Sequence, residues 1–127
     1  MIKPRIHRLG DLQLQILKVL WQDGEGTVSR VHEALGHSHF AYTTLATMLR
    51  KMESRGLVTH RVEGRTFIYR PKVAAHEVSR SMADHLVDRL FEGSLTEVVS
   101  HLLSTREVSA AELRELERLI AERKKSK

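Results

Sequence analysis

Cysteine is absent from this 127-residue chain. That excludes disulfide scaffolds, thiolate nucleophiles and Cys-ligated metal centres, and it fits a reducing compartment, so a cytoplasmic location is expected. No apolar run approaches the roughly 18 to 20 residues that a bilayer crossing needs. The stretch from Met1 to Gly10 carries Lys3, Arg5 and Arg8 without the apolar core of a secretion signal. The expectation is a protein with no membrane partner. No nucleophile and base pattern, Gly-rich phosphate loop or carboxylate pair stands out, so no catalytic residue is assigned and an enzyme is not expected. The length suits one domain, or a small domain with an appended element, and excludes a large multidomain enzyme.

Hydrophobic residues make up 41% of the chain and charged ones 29%, enough apolar side chain for a modest core. The formal net charge is +5, and its location is informative. Residues 1–40 hold five Lys/Arg against four Asp/Glu, and residues 73–127 hold nine against ten. Between them, Arg50, Lys51, Arg55, Arg61, Arg65, Arg70 and Lys72 face only Glu53 and Glu63, so the whole excess lies in one stretch. A focused basic patch is the footprint of a phosphate-backbone binder, because counterion release grows with the phosphates neutralised.

Leu9, Leu12, Ile16, Leu17 and Leu20 recur at helical spacing, flanked by Val19 and Trp21, which predicts a first helix over about 11–22 ended by Gly24 and Gly26. Thr27 precedes a short helix with Val28, Val31 and Leu35 inward, and Gly36 is expected to cap it in a left-handed conformation. After a turn at 37–41, residues 42–55 set Leu45, Met48, Leu49 and Met52 on one helical face and Thr43, Thr44, Thr47, Arg50, Lys51 and Ser54 largely on the other. Beyond Gly56 the period switches to two: residues 57–62 and 66–70 read as a hairpin about Glu63-Gly64-Arg65, ended by Pro71. Three helices and then a hairpin is the order of a winged helix-turn-helix. Two strands alone are marginal, so the hairpin should pack on the helices.

Three more helices are predicted. Ala75, Val78, Met82, Leu86 and Leu90 form the stripe of the fourth, and Ser94-Leu-Thr-Glu97 and Ser109-Ala-Ala-Glu112 match the capping box that starts the fifth and sixth. The fifth is expected to bury Leu95, Val98, Val99, Leu102 and Leu103, and the sixth Leu113, Leu116, Leu119 and Ile120. So much amphipathic helix cannot all pack on a small winged domain. The expected organisation is therefore a DNA-binding winged helix over 1–72 and a helical dimerisation region over 73–127. Met82, Leu86, Leu90, Val98, Leu102, Leu113, Leu116 and Ile120 are the expected dimer seam.

A recognition helix presents short polar and cationic side chains to the major groove while its apolar face is anchored in the domain. Thr43, Thr44 and Thr47 occupy the first two turns of the third helix, where a hydroxyl meets a base edge or phosphate and the methyl packs on a thymine methyl. Arg50 and Lys51, one turn on, reach a guanine edge or grip phosphate. Arg65 at the wing tip, with Arg61 and Arg70 along the strands, suits phosphate or the minor groove. Tyr42 has two readings, phosphate contact or packing at the helix entrance.

The segments Leu9-Gly-Asp-Leu-Gln-Leu-Gln-Ile-Leu-Lys-Val-Leu-Trp21, Val28-Ser-Arg-Val-His-Glu-Ala-Leu35 and Ala41-Tyr-Thr-Thr-Leu-Ala-Thr-Met-Leu-Arg-Lys-Met-Glu-Ser-Arg-Gly-Leu57 resemble the penicillinase repressor family, the BlaI/MecI/CopY regulators. The resemblance implies an N-terminal winged helix on an operator dyad and C-terminal helices holding a homodimer. It further implies that Thr43, Thr44, Thr47, Arg50 and Lys51 sit in the major groove, with the wing around Arg65. It also brings a regulatory protease as a possible partner, since penicillinase repressors of this family are inactivated at an Asn-Phe bond. This chain has no asparagine, and the comparable stretch reads Val99-Ser-His-Leu-Leu103. The Cys-x-Cys pairs of the copper-responsive branch are missing too.

Two other classes compete. Eight histidines invite a metal-responsive regulator, yet His37-x-His39 lies in a turn with few acidic partners, and His76, His85 and His101 fall on different helices at spacings that build no site. No metal or other cofactor is expected. A winged helix used only for protein contacts is the second alternative, and the charge on the third helix and hairpin stands against it.

Overall fold

The computed structural model describes residues 6–36 and 40–126. The turn with His37 and His39 lies outside them. The order is α1 (Asp11–Asp23), α2 (Val28–Ala34), α3 (Tyr42–Ser54), β1 (Val58–Glu63), β2 (Thr66–Pro71), α4 (Ala75–Phe91), α5 (Leu95–Thr105) and α6 (Ala110–Lys125), after a 3₁₀ turn at Ile6–Arg8. The fold is mainly α with one antiparallel hairpin, as its periodicities predict.

The first unit, Met1–His85, holds the core. Ile16, Leu17 and Leu20 of α1, Val31 of α2, and Leu45, Leu49 and Met52 of α3 are fully buried, and Leu57, Val58, Tyr69, Val73 and Val78 close over them. Each such aliphatic side chain withdrawn from water stabilises the unit by about 1.5–3 kcal/mol. Gln13 is the buried polar member, and its Oε1 accepts the Gly10 N–H at the entrance to α1. The Thr27 hydroxyl caps α2 by accepting the Arg30 N–H at 3.0 Å.

Gly36 departs from expectation. Its φ is not positive; instead α2 tightens at its end, and the Gly36 N–H donates to the Glu33 carbonyl at 3.1 Å. A Cβ there would meet that oxygen at 3.0 Å, so it is close backbone approach that favours glycine. The left-handed cap occurs one helix later. Gly56 has φ 79°, its N–H reaches the Glu53 carbonyl, and the Leu57 N–H reaches that of Met52, a Schellman arrangement with both apolar partners buried.

In the hairpin Glu63 pairs with Thr66, so Glu63 belongs to β1 and the connection shrinks to Gly64-Arg65, with Gly64 at φ 62°. Val58, His60 and Val62 face Pro71, Tyr69 and Phe67 across the ladder and share the inner side. Tyr69 is buried, which pushes its hydroxyl pKa up, and its backbone also exchanges two hydrogen bonds with Gly26 at 2.9 and 2.8 Å. The loop after α1 thus extends the edge of β2, and the hairpin is not free-standing.

The second unit, Leu86–Lys127, contains the end of α4 with α5 and α6. Ser94 and Ser109 each accept the N–H of the Glu three residues on at 3.1 Å, the serine half of the capping box. Arg118 on α6 bonds both Glu115 and Glu122. The burial expected of α5 and α6 does not occur within one chain: neither helix has a buried residue, and Leu95, Leu102, Leu103, Leu113 and Ile120 are exposed. Two short amphipathic helices and a helix end are too small a unit to cover their own apolar faces.

Candidate nucleic-acid interface

The outer side of α3 is built by helical periodicity. With Leu45, Leu49 and Met52 buried inward, Thr43, Thr44, Thr47, Arg50 and Lys51 are turned to solvent. Thr43, Thr44, Thr47, Met48 and Lys51 line one shallow groove of about 270 Å³. Met48 is therefore not the fully internal residue its spacing suggested. It is half-buried, packed against the core and also lining the groove. Methyl groups beside hydroxyls and one ammonium suit a surface of thymine methyls, base-edge acceptors and phosphate.

A second cleft of about 270 Å³ lies where α2, α3 and the hairpin converge. Arg50 and Arg65 line it with Thr27, Ser29 and Thr66, beside Tyr42 and Phe67. Sequence reasoning passed over Ser29, Thr66 and Phe67. For Phe67 a signal existed, since strand alternation puts it on the same side as Tyr69.

Charge pairing sorts the cations. Among the described residues, Arg50, Lys51 and Arg65 have no carboxylate within ion-pair distance, and the Arg50 guanidinium reaches only the Thr47 hydroxyl, at 3.4 Å. Their charge is available to an external anion. Arg61 differs: Nη1 and Nη2 donate to Glu25 Oε1 and Oε2 at 2.7 and 2.9 Å, and Glu63 lies 3.8 Å away. The Arg61 hydrogen bond holds the Glu25 carboxyl below its ordinary value, with the charges of Arg61 and Arg70 adding to the effect. Tyr42 is half exposed, and its ring meets the His32 ring edge-on at 6.2 Å, so it packs at the helix entrance while part of it stays open to solvent.

Among the described residues no group of three or more His, Asp and Glu is arranged to hold a metal ion, and no helix is long and apolar enough to cross a membrane. His60 is used structurally: Nδ1 lies 2.6 and 2.8 Å from the two Glu53 oxygens, and its ring stacks on Phe67 with centroids 4.2 Å apart. His101 packs against Phe91 within the second unit.

Of the expected seam, Leu86, Leu90, Leu102, Leu113 and Ile120 are exposed, and Val98 and Leu116 are half-buried. Met82 stands apart, because it packs against the core of the first unit.

A three-helix core, a hairpin wing, and a helix presenting threonines and unpaired cations define a winged helix-turn-helix protein of the DNA-binding class. The chain belongs to the penicillinase repressor family, whose model matches residues 9–122. It is 27% identical over 124 residues to the penicillinase repressor of Bacillus licheniformis, covering 97% of both chains. It is 34% identical over 121 residues to the transcriptional regulator BlaI of Mycobacterium tuberculosis, covering 93% of this chain and 86% of that one. Among solved structures it resembles the DNA-binding domain of the repressor BlaI, with TM-score 0.51 and 30% identity over 59% of this chain and 90% of that one.

Proposed function

We propose that this chain is a transcriptional repressor that binds a specific inverted-repeat operator as a homodimer. The observation that carries this reading is the set of unpaired cations Arg50, Lys51 and Arg65 beside the exposed Thr43, Thr44 and Thr47, on α3 and the wing of a penicillinase repressor family member. In this reading α3 enters the major groove. The threonines and Met48 read base edges and thymine methyls, Arg50 and Lys51 take a guanine edge or phosphate, and Arg65 reaches the flanking backbone. Tyr42 adds a hydroxyl toward phosphate.

Pairing is supported by the apolar side chains that α5 and α6 leave exposed, Leu95 at 70% and Ile120 at 57% among them. A second copy supplies the same apolar faces, and two-fold symmetry then dictates an inverted repeat with half-sites about 10 base pairs apart or a multiple of it. The winged domain is assigned 1–72 and the pairing region 73–127, with Val73 and Val78 at the start of the latter packed into the winged core. Repression follows from occupying promoter DNA in the cytoplasm, and relief from any event that weakens pairing, including cleavage by a regulatory protease at a bond other than Asn-Phe. Fluorescence anisotropy with labelled duplex and single-stranded DNA at several salt concentrations tests the class. Preference for duplex with a steep salt dependence is expected; salt-independent or absent binding would turn the reading to a protein-contact module.

A further inference from the structure

His60 and Arg61 are consecutive on β1, so their side chains leave opposite faces of the strand, and each is gripped by a carboxylate from a different part of the helical body. On the inner face Glu53, at the end of α3, holds His60. On the outer face Glu25, in the loop after α1, holds Arg61 through two parallel hydrogen bonds across 36 residues of sequence. The base of the hairpin is fixed independently by the Gly26 and Tyr69 backbone pair and by the Lys72 N–H on the Leu57 carbonyl at 2.9 Å. Its distal half has less to hold it, since Val62 and Phe67 are exposed. A two-stranded ribbon with so little burial is marginal by itself.

We propose that Arg61 is a positioning residue for DNA binding: with Glu25 it clamps the wing in the orientation that carries Arg65 to the DNA backbone, and it does not itself neutralise a phosphate. This rests on the DNA-binding reading above. Two considerations separate clamp from phosphate ligand. To reach phosphate, Arg61 must abandon two charge-assisted hydrogen bonds and leave Glu25 as an uncompensated anion beside a polyanion. The paired state instead presents the DNA with no net positive charge at this position. An exposed ion pair adds little to global stability, so its removal leaves the fold intact while loosening the part that must be ordered in the complex.

The roles predict opposite behaviour at Glu25. The test uses the full chain and a duplex that it selects from a random-sequence pool, with affinity measured across a salt series for Arg61→Ala, Glu25→Gln and the charge-exchanged pair Glu25→Arg with Arg61→Glu. As a clamp, both single variants weaken binding about three- to tenfold, Arg61→Ala the more because it also leaves Glu25 uncompensated beside the polyanion, and the slope of log affinity against log salt is unchanged. The exchanged pair recovers most of the loss. Amide exchange in free protein supplies a readout that needs no DNA: the distal half of the hairpin, residues 61–63 and 66–68, exchanges faster in both single variants, while the α1 and α3 amides do not. The proposal is overturned if Glu25→Gln binds as well as or better than the parent, if Arg61→Ala lowers the salt slope by about 0.9, or if hairpin exchange is unaltered. Failure of the unmodified chain to select or bind any duplex would overturn the DNA-binding reading instead, and the exchange measurement would still decide the clamp.

Discussion

Trp21 Nε1 donates a hydrogen bond to the Val73 carbonyl at 2.8 Å across 52 residues of sequence, tying α1 to the segment that leads from the wing into α4. Val73 and Val78 are buried in the same core, at 7% and 1% exposure. The winged unit is therefore completed by residues beyond its second strand. A fragment ending at residue 72 should be less stable than one ending at 85 by about 3 kcal/mol or more, from two lost valine burials alone. Urea denaturation of the two fragments measures it, and equal midpoints would count against the contact. Trp21→Phe in the full chain should cost about 1 kcal/mol, because the Val73 carbonyl loses its donor in a part-buried site.

Thr47 faces out from α3 and shares its groove with Thr43, Thr44, Met48 and Lys51. Thr47→Ala removes a hydroxyl and a methyl group from the reading surface without touching the core. The expected cost is about 1–3 kcal/mol of discrimination at one base position, with little change in affinity for unrelated DNA. Competition between the selected duplex and singly substituted ones reads this out, and unchanged discrimination would remove Thr47 from the reading face.

Arg65 is proposed to meet phosphate, which carries no sequence information, so its loss is expected to act differently. Arg65→Ala should weaken all duplexes alike and reduce the salt slope by about one. A loss confined to one sequence would move Arg65 from the backbone to a base.

Ile120 is 57% exposed on α6, so a charge there disturbs nothing inside one chain. Ile120→Asp should dissociate the pair by setting an unpartnered carboxylate in an apolar seam. Sedimentation equilibrium is expected to show a monomer whose circular dichroism is unchanged, with much weaker operator binding because the second linked contact is lost. A variant that remains dimeric would shift the seam to the exposed face of α4.

The periodicities of α1, α3 and the hairpin were legible because burial imposes a fixed spacing on each, as with Leu45, Leu49 and Met52 against Thr43, Thr44 and Thr47. The basic segment was legible from composition alone. Arg61 was not, since its partner Glu25 lies far away in sequence and only the folded hairpin brings the two together. The role of Gly36 is not legible in the sequence, because a helix can end by tightening as well as by a left-handed cap, and both uses select glycine. The burial assigned to α5 and α6 follows from their amphipathic pattern, which marks the apolar face of a helix but not whether its cover comes from the same chain.

The central claim is that two copies present two α3 helices to a symmetric DNA site. Selection of random duplexes by the purified protein, followed by sedimentation of the selected complex, tests it most directly. Enrichment of an inverted repeat with half-sites about one helical turn apart or a multiple of it, carrying two chains per duplex, is expected. An enriched single half-site bound by one chain, or salt-sensitive binding with no enriched motif, would contradict it.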